Sequence, residues 1–215
     1  MADVRVKICG LSTEATLDAA LDAGADLVGF VHFPRSPRHV ALDRGGRLAG
    51  RARGRAERVV LLVDPDDTLL QDAVAALDPD LIQLHGRETP ERVAEIRART
   101  GRPVMKAVGI ASAEDLSALP AYAAVADRLL LDAKPPPGAD LPGGNGRSFD
   151  WDILTRAVLP RATMLSGGLD AGNVAAALAR TGLSAVDVSS GVEVRPGEKD
   201  PAKIAAFVTA ARRQA

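Results

Sequence analysis

Short runs of contiguous apolar residues alternate along this chain with longer segments in which apolar positions recur three and four apart. Val4–Ile8 predicts a strand and Thr13–Ala23 a helix; Leu27–Val31 a strand and Leu42–Gly50 a short helix. Arg58–Val63 and Thr68–Leu77 form the third such pair, and Leu81–Leu84 and Pro90–Arg99 the fourth. Pro103–Ala107 with Ala113–Leu119, and Arg128–Leu131 with Trp151–Arg156, continue the series. Ala162–Leu165 with Ala171–Ala179, and Ala185–Val188 with Pro201–Arg213, complete it. The strands read as near-continuous apolar runs, the pattern of a strand covered on both faces. Ser12 and Asp66 are candidate helix N-caps and Pro90 sits in a first turn, while Gly24, Gly101 and Gly182 stand where helices stop.

Strict strand–helix alternation implies parallel strands joined by right-handed crossovers. An open, doubly wound sheet and a closed (β/α)8 TIM barrel both satisfy it. Eight units in 215 residues, with glycine-rich turns after the last two strands, favour the closed α/β barrel. One such barrel occupies residues 1–215 as a single domain.

Composition narrows the function more than the fold. Apolar residues make up 47% of the chain, which argues against disorder. A net charge of −1 gives no global reason to expect nucleic acid or an anionic membrane as partner. No apolar run approaches a membrane span. The start, MADVRVKICG, enters a strand pattern directly and lacks the apolar region of a signal peptide. With one cysteine, Cys9, no intrachain disulfide can form, and a cytoplasmic protein is expected. Aromatics are only 3%, so Ala, Val, Leu and Ile must build the core. Lysine is scarce beside arginine, which draws attention to Lys7 and Lys106 near strand ends.

In a closed barrel, residues at the C-terminal ends of strands carry the chemistry. Ser166–Leu169 (SGGL) follows the seventh strand and Ser189–Gly191 (SSG) the eighth, the pair of loops that in many barrels holds a phosphate. Glycines let backbone N–H groups converge on an anion. A second anion site is suggested by HFPRSPRH (His32–His39), where Arg38 follows the rigid Ser36–Pro37 turn; a solvated basic loop is the plainer alternative. Asp132 ends the sixth strand after three leucines, a setting that would raise its pKa and suit a proton donor, or else it orders the following loop. Asp187, inside the eighth strand, shares a face with Ser189 and serves either catalysis or structure. His85 ends the fourth strand as a turn residue or a site residue. No second His or Cys stands at metal-ligand spacing, so neither a metal nor another cofactor is expected. Lys7 and Cys9 share a face, and a nearby ammonium would lower the thiol's pKa and make it a usable base; a small buried hydrophobe is the alternative. The Pro- and Gly-rich stretch 133–149 is too long for an ordinary loop and reads as a restrained lid or a surface excursion.

These pieces occur together in one family. KICG (Lys7–Gly10), GF-x-x-x-PRSPR (Gly29–Arg38), QLHG (Gln83–Gly86), LLLDAK (Leu129–Lys134), GGNG with FDW (Gly143–Trp151), SGGL-x-x-x-NV (Ser166–Val174) and DVSSGVE with KD (Asp187–Asp200) follow in order, each at a strand end. The chain thus resembles the phosphoribosylanthranilate isomerases of tryptophan biosynthesis from end to end. The resemblance implies an Amadori rearrangement of N-(5-phosphoribosyl)anthranilate by general acid–base catalysis. Asp132 matches the acid that protonates the furanose ring oxygen, and Cys9 the base that removes the C2 proton. Arg38 matches the arginine on the anthranilate carboxylate, and Gly167, Gly168, Ser189, Ser190 and Gly191 the phosphate loops. Lys7, His85, Gly143, Gly144 and Asp187 complete the residues expected around the substrate. The chain departs from the family pattern at Asn145, where threonine is common, and at Asp64, where asparagine is common. The only partner expected is this small-molecule substrate, acting on a monomer, with a homodimer as the alternative. Two other readings compete: a histidine-pathway aldose–ketose isomerase, which would carry a strand-one aspartate in place of Cys9, and a non-catalytic sugar-phosphate-binding barrel.

Overall fold

The computed structural model describes residues 4–135, 138, 143–144, 146, 148–155, 157–160 and 162–213. Eight strands run in chain order: β1 (Arg5–Cys9), β2 (Leu27–Val31), β3 (Glu57–Leu62), β4 (Leu81–Leu84), β5 (Val104–Ile110), β6 (Arg128–Ala133), β7 (Thr163–Leu165) and β8 (Ala185–Val188). Neighbours pair in parallel, and β1 pairs with β8 as well as with β2, so the sheet closes into the expected barrel. At the closing seam Lys7 stands opposite Asp187. The open-sheet alternative is excluded by that seam.

The connecting helices are α1 (Glu14–Asp22), α2 (Leu42–Ala52), α3 (Asp67–Leu77), α4 (Pro90–Thr100), α5 (Leu119–Ala123), α6 (Asp152–Thr155), α7 (Val174–Thr181) and α8 (Pro201–Arg212). Asp66 caps α3 by accepting from Leu69 N at 2.8 Å, and Pro90 occupies the first turn of α4. Thr13, not Ser12, caps α1, accepting from Thr16 N at 3.3 Å. The helix expected over Ala113–Leu119 is split into a 3₁₀ turn, Ala113–Ala118, and α5. Pro120 explains the split, since it brings no N–H and starts a helix better than it continues one. A two-stranded hairpin, β9 (Glu193–Arg195) and β10 (Glu198–Lys199), was not legible in the sequence and lies between β8 and α8. No helix among the described residues is long and apolar enough to cross a membrane.

Apolar residues fill two spaces. The larger lies between barrel and helices, where Phe30, Leu17, Leu48, Leu70 and Phe207 are buried. The smaller is a plug inside the barrel made by Leu27, Val59, Leu81, Met105, Ala107, Leu130 and Met164. Two residues beyond Leu81, Leu130 and Met164, and thus on the same inward face, stand Gln83, Asp132 and Ser166. On β4, β6 and β7 the interior therefore turns from apolar to polar toward the C-terminal ends of the strands, while Val31 and Leu61 keep the β2/β3 side of the mouth apolar. The plug gives that polar layer a dry floor.

Candidate active site

A cleft of about 790 Å³, its open mouth included, sits on this polar layer. Its walls include Cys9, Arg38, His85, Asp132, Gly143, Gly144, Gly167, Gly168, Asp187, Ser189 and Ser190, so one space gathers most of the residues singled out from the sequence. Lys7 and Gly191 do not line it. Lys7 lies beneath, fully buried. Gly191 packs so closely on the Leu169 carbonyl that any Cβ would collide with it, which makes it a packing residue between the two glycine loops.

Cys9 closes β1 against Gly29 of β2, where a Cβ would lie 3.0 Å from the thiol sulfur. Lys7 Nζ donates to Asp187 Oδ1 at 2.8 Å, and Ser166 Oγ donates to Asp187 Oδ2 at 3.2 Å. Burial works to lower Lys7's pKa, but Asp187 and Cys9 outweigh it and hold the ammonium above its ordinary value. The expectation that Lys7 would leave the thiol acidified is corrected. Burial pushes Cys9 up, Asp187 adds to the rise, and the pull of Lys7 and Lys199 does not prevail. The main reason is burial, which disfavours the thiolate; Asp187 opposes only part of the pull of Lys7.

Asp132 faces the cleft from the end of β6. Its Oδ1 accepts from Ala133 N at 2.9 Å, and its Oδ2 lies 3.2 Å from His85 Nε2. His85 Nδ1 in turn lies 2.9 Å from Gln83 Nε2. Gly143 rests over this contact, where a Cβ would come within 2.7 Å of Oδ2 and would strike His85 Nε2. Part of the expected lid, Asn145 included, falls outside the described residues.

Arg38 is not a free cation. Its Nε and Nη2 donate to the two carboxylate oxygens of Glu193 at 2.7 and 2.9 Å, and Nη2 also reaches Gly144 O at 3.2 Å. Lys199 Nζ donates to Glu193 Oε1 at 2.8 Å and to Ser189 Oγ at 3.0 Å. Burial alone would raise Glu193's pKa, but the two cations hold it below the usual carboxylate range. Ser189 Oγ donates to Cys9 O at 3.1 Å, so the network joins the arginine to the strand that carries the thiol. Lys106, the other conspicuous lysine, turns away from the cleft and binds Glu88 and Gly86 O, both at 2.8 Å.

The loop after β7 bends at Gly167 with φ +87°, a conformation few side chains tolerate, and a Cβ there would sit 2.7 Å from Ala133 N. Asn173 Nδ2 fixes the loop by donating to Gly168 O at 2.9 Å.

Sequence reasoning missed Gln83 and Glu193. Gln83 was detectable as an amide in an otherwise apolar strand, two residues before His85 and so on its face. Glu193 lay within the DVSSGVE motif but carries its role only through a hairpin that brings it to Arg38, 155 residues away in sequence.

Three comparisons bear on these observations. A family model described as N-(5'-phosphoribosyl)anthranilate (PRA) isomerase matches residues 6–210. An N-(5'-phosphoribosyl)anthranilate isomerase of Azorhizobium caulinodans is 65% identical over 209 residues, covering 97% of this chain and 92% of the relative. The crystal structure of phosphoribosyl anthranilate isomerase from Thermotoga maritima superposes with a TM-score of 0.87 at 33% identity, covering 98% of this chain and 99% of that one. A phosphoribosyl anthranilate isomerase in complex with reduced 1-(o-carboxyphenylamino)-1-deoxyribulose 5-phosphate matches with a TM-score of 0.84 at 32% identity over 98% of this chain and 99% of that one.

Proposed function

The chain belongs to the N-(5'-phosphoribosyl)anthranilate isomerase family, and on that premise we propose that it converts N-(5-phosphoribosyl)anthranilate to 1-(2-carboxyphenylamino)-1-deoxyribulose 5-phosphate. The observation that carries the reading is the placement of a thiol and a carboxyl, Cys9 and Asp132, on strand ends facing one cleft. An aldose–ketose rearrangement needs that pair, because one proton must be given to oxygen and another taken from carbon.

In the proposed mechanism Asp132 gives its proton to the furanose ring oxygen as the C1–O bond breaks. The anilino nitrogen supplies the electron pair and becomes a protonated Schiff base. The Cys9 thiolate removes the C2 proton, and the electrons move to nitrogen to form the enolamine. The enolamine tautomerises to the ketone. The thiol acts only as a base, since no covalent bond to sulfur is needed. Arg38 holds the anthranilate carboxylate, and Glu193 limits how its guanidinium can turn. Gly167, Gly168, Ser189 and Ser190 surround the phosphate, with Gly191 holding the two loops together. Lys7 and Asp187 support the base from below, and Gly143 and Gly144 close over the acid and the arginine. Residues 1–215 act as one catalytic domain in the cytoplasm, as a monomer, with a homodimer as the alternative.

The test follows the loss of anthranilate fluorescence when phosphoribosylanthranilate is supplied. Turnover by the purified chain is expected. A silent trace beside turnover of another aminoaldose phosphate would overturn the assignment, and sizing by light scattering in the same buffer decides the oligomeric state.

A further inference from the structure

We propose that His85, oriented by Gln83, returns a proton to Asp132 after each turnover. The inference rests on the proposed role of Asp132 as the ring-opening acid and extends it.

The need follows from the proton balance. Each cycle takes one proton from Asp132 to the ring oxygen and places one from C2 on Cys9. Tautomerisation is internal to the substrate. The enzyme therefore ends with a thiol and a carboxylate, and before the next cycle the thiol must lose a proton and the carboxylate gain one.

Among the described residues the geometry offers one side-chain partner for that gain. Asp132 Oδ1 is occupied by the Ala133 N–H, which makes Oδ2 the oxygen that carries the acidic proton. Gly143 lies over Oδ2, and its polar neighbour at 3.2 Å is His85 Nε2. The side chains of His85 and Asp132 are both mostly buried, with 11% and 9% of their surface open in the same cleft.

Gln83 supplies the second half. It is fully buried, its Nε2 is 2.9 Å from His85 Nδ1, and its Oε1 is buried without a hydrogen-bond partner among the described residues. With the amide as it stands, Gln83 donates to Nδ1 and the neutral ring donates from Nε2 to the carboxylate. Solvent takes the proton that Cys9 gives up and delivers one to the ring, so that both ring nitrogens become donors. A half-turn of the amide then offers the unpartnered Oε1 to Nδ1–H. The proton between Nε2 and Oδ2 is shared by the pair and passes to the carboxyl group, ready for the ring oxygen. No bond other than N–H and O–H is made or broken.

Among the described residues, the other charged groups around the cleft are already committed. Lys7 is paired with Asp187, Arg38 and Lys199 with Glu193, Lys106 with Glu88, and Lys134 with Asp115. Cys9 faces the cleft from β1 as the proton-accepting partner of the same cycle.

The experiment compares wild type, His85→Asn, Asp132→Asn and the double variant in the fluorescence assay, each with and without added imidazole. Wild-type turnover and the loss in Asp132→Asn test the function itself. The relay is tested by what His85→Asn does beyond them. We expect kcat to fall about 100-fold, at the lower end of the range for proton-transfer groups, with KM changed less than about threefold. Imidazole should restore part of kcat in proportion to its concentration, and the double variant should be no slower than Asp132→Asn alone. A change confined to KM, a loss that imidazole leaves untouched, or losses that multiply in the double variant would each overturn the proposal. Gln83→Glu keeps the shape of the site and gives Nδ1–H a permanent acceptor. It should carry the basic limb of the kcat profile to higher pH, and an unmoved limb counts against Gln83.

Discussion

The two flanks of the cleft solve opposite problems with opposite materials. On the β1/β8 flank, Cys9 sits above a buried ion pair, Lys7 with Asp187. On the β4/β6 flank, Asp132 touches an imidazole and, through it, a neutral amide. The base is held over an ion pair, the acid beside a ring and an amide that are linked to it by hydrogen bonds. A thiol must be kept from drifting, whereas a carboxyl that gives up its proton must be refilled. The comparison also shows what limits the effect of burial on the thiol. Burial and Asp187 push Cys9 up, but Lys7 is close enough to oppose them.

The most severe test removes the reacting groups. Cys9→Ser leaves a hydroxyl far too weakly acidic to act as the base, and Asp132→Asn leaves an amide that cannot give up a proton. Each should lower kcat/KM by roughly 10²–10⁴-fold, the span expected of acid–base groups. Near-wild-type rates in either variant, measured by anthranilate fluorescence, remove that flank from the mechanism.

How much of this contrast could be read from sequence depends on the range of the interaction. Cys9 and Lys7 are two apart on one strand, so alternation alone placed them on one face. Strand ends placed Cys9, His85 and Asp132 at the mouth once eight units implied a barrel. Arg38 was legible as a cation in a stiff loop, but not as one edge of a network with Glu193 and Lys199. Nothing local in the sequence says that a hairpin follows β8 and folds back over the loop after β2. The sign of the Cys9 shift was lost because burial, its largest cause, comes from the closed barrel and not from neighbours in sequence, with Asp187 adding to it. Lys7 is its near neighbour in sequence, while Asp187, which neutralises Lys7, lies 180 residues away. Asp64 gained meaning only from the fold. It adopts φ +46°, a conformation asparagine and aspartate tolerate better than most, and receives Arg87 N in the loop that holds Glu88 and Lys106.

Breaking the buried ion pair is the next largest perturbation. Lys7→Met strands Asp187 as an unpaired buried carboxylate, which should cost about 3–5 kcal/mol in chemical denaturation. Lys7→Met with Asp187→Asn removes both charges and should regain most of that loss. The catalytic sign follows from the one-proton state of the site, proton on Asp132 and none on Cys9. Above the thiol's pKa that proton is gone, so Cys9 sets the basic limb of the kcat/KM profile, which reports the free enzyme, while recycling of Asp132 bears on kcat. Without Lys7 the thiol's pKa rises further. The limb of Lys7→Met should therefore move to higher pH while the rate at neutral pH falls, because less thiolate is present. A limb that stays in place would separate Lys7 from the base.

A milder change acts between the flanks. Glu193→Gln keeps a hydrogen-bonding side chain but withdraws the charge that fixes Arg38 and Lys199. If Arg38 binds the substrate carboxylate, the looser guanidinium should raise KM by about tenfold, with kcat changed far less. A fall in kcat at constant KM would place Glu193 with the base instead, through the Lys199–Ser189–Cys9 connection.

The smallest effect is expected where charges pair outside the barrel. Arg51 binds Asp18 in bidentate fashion, at 2.6 and 2.7 Å, which is as good a geometry as Arg38 with Glu193. Yet both partners lie on helices in contact with water, Arg51 half exposed at 49% and Asp18 at 30%. Solvent screens such a pair and ordering two side chains offsets much of the attraction. Asp18→Asn should leave both the melting midpoint and kcat/KM within measurement error. A clear loss of activity there would mean that the outer helices transmit strain to the mouth. The division between committed charges in the cleft and interchangeable charges on the surface would then fail.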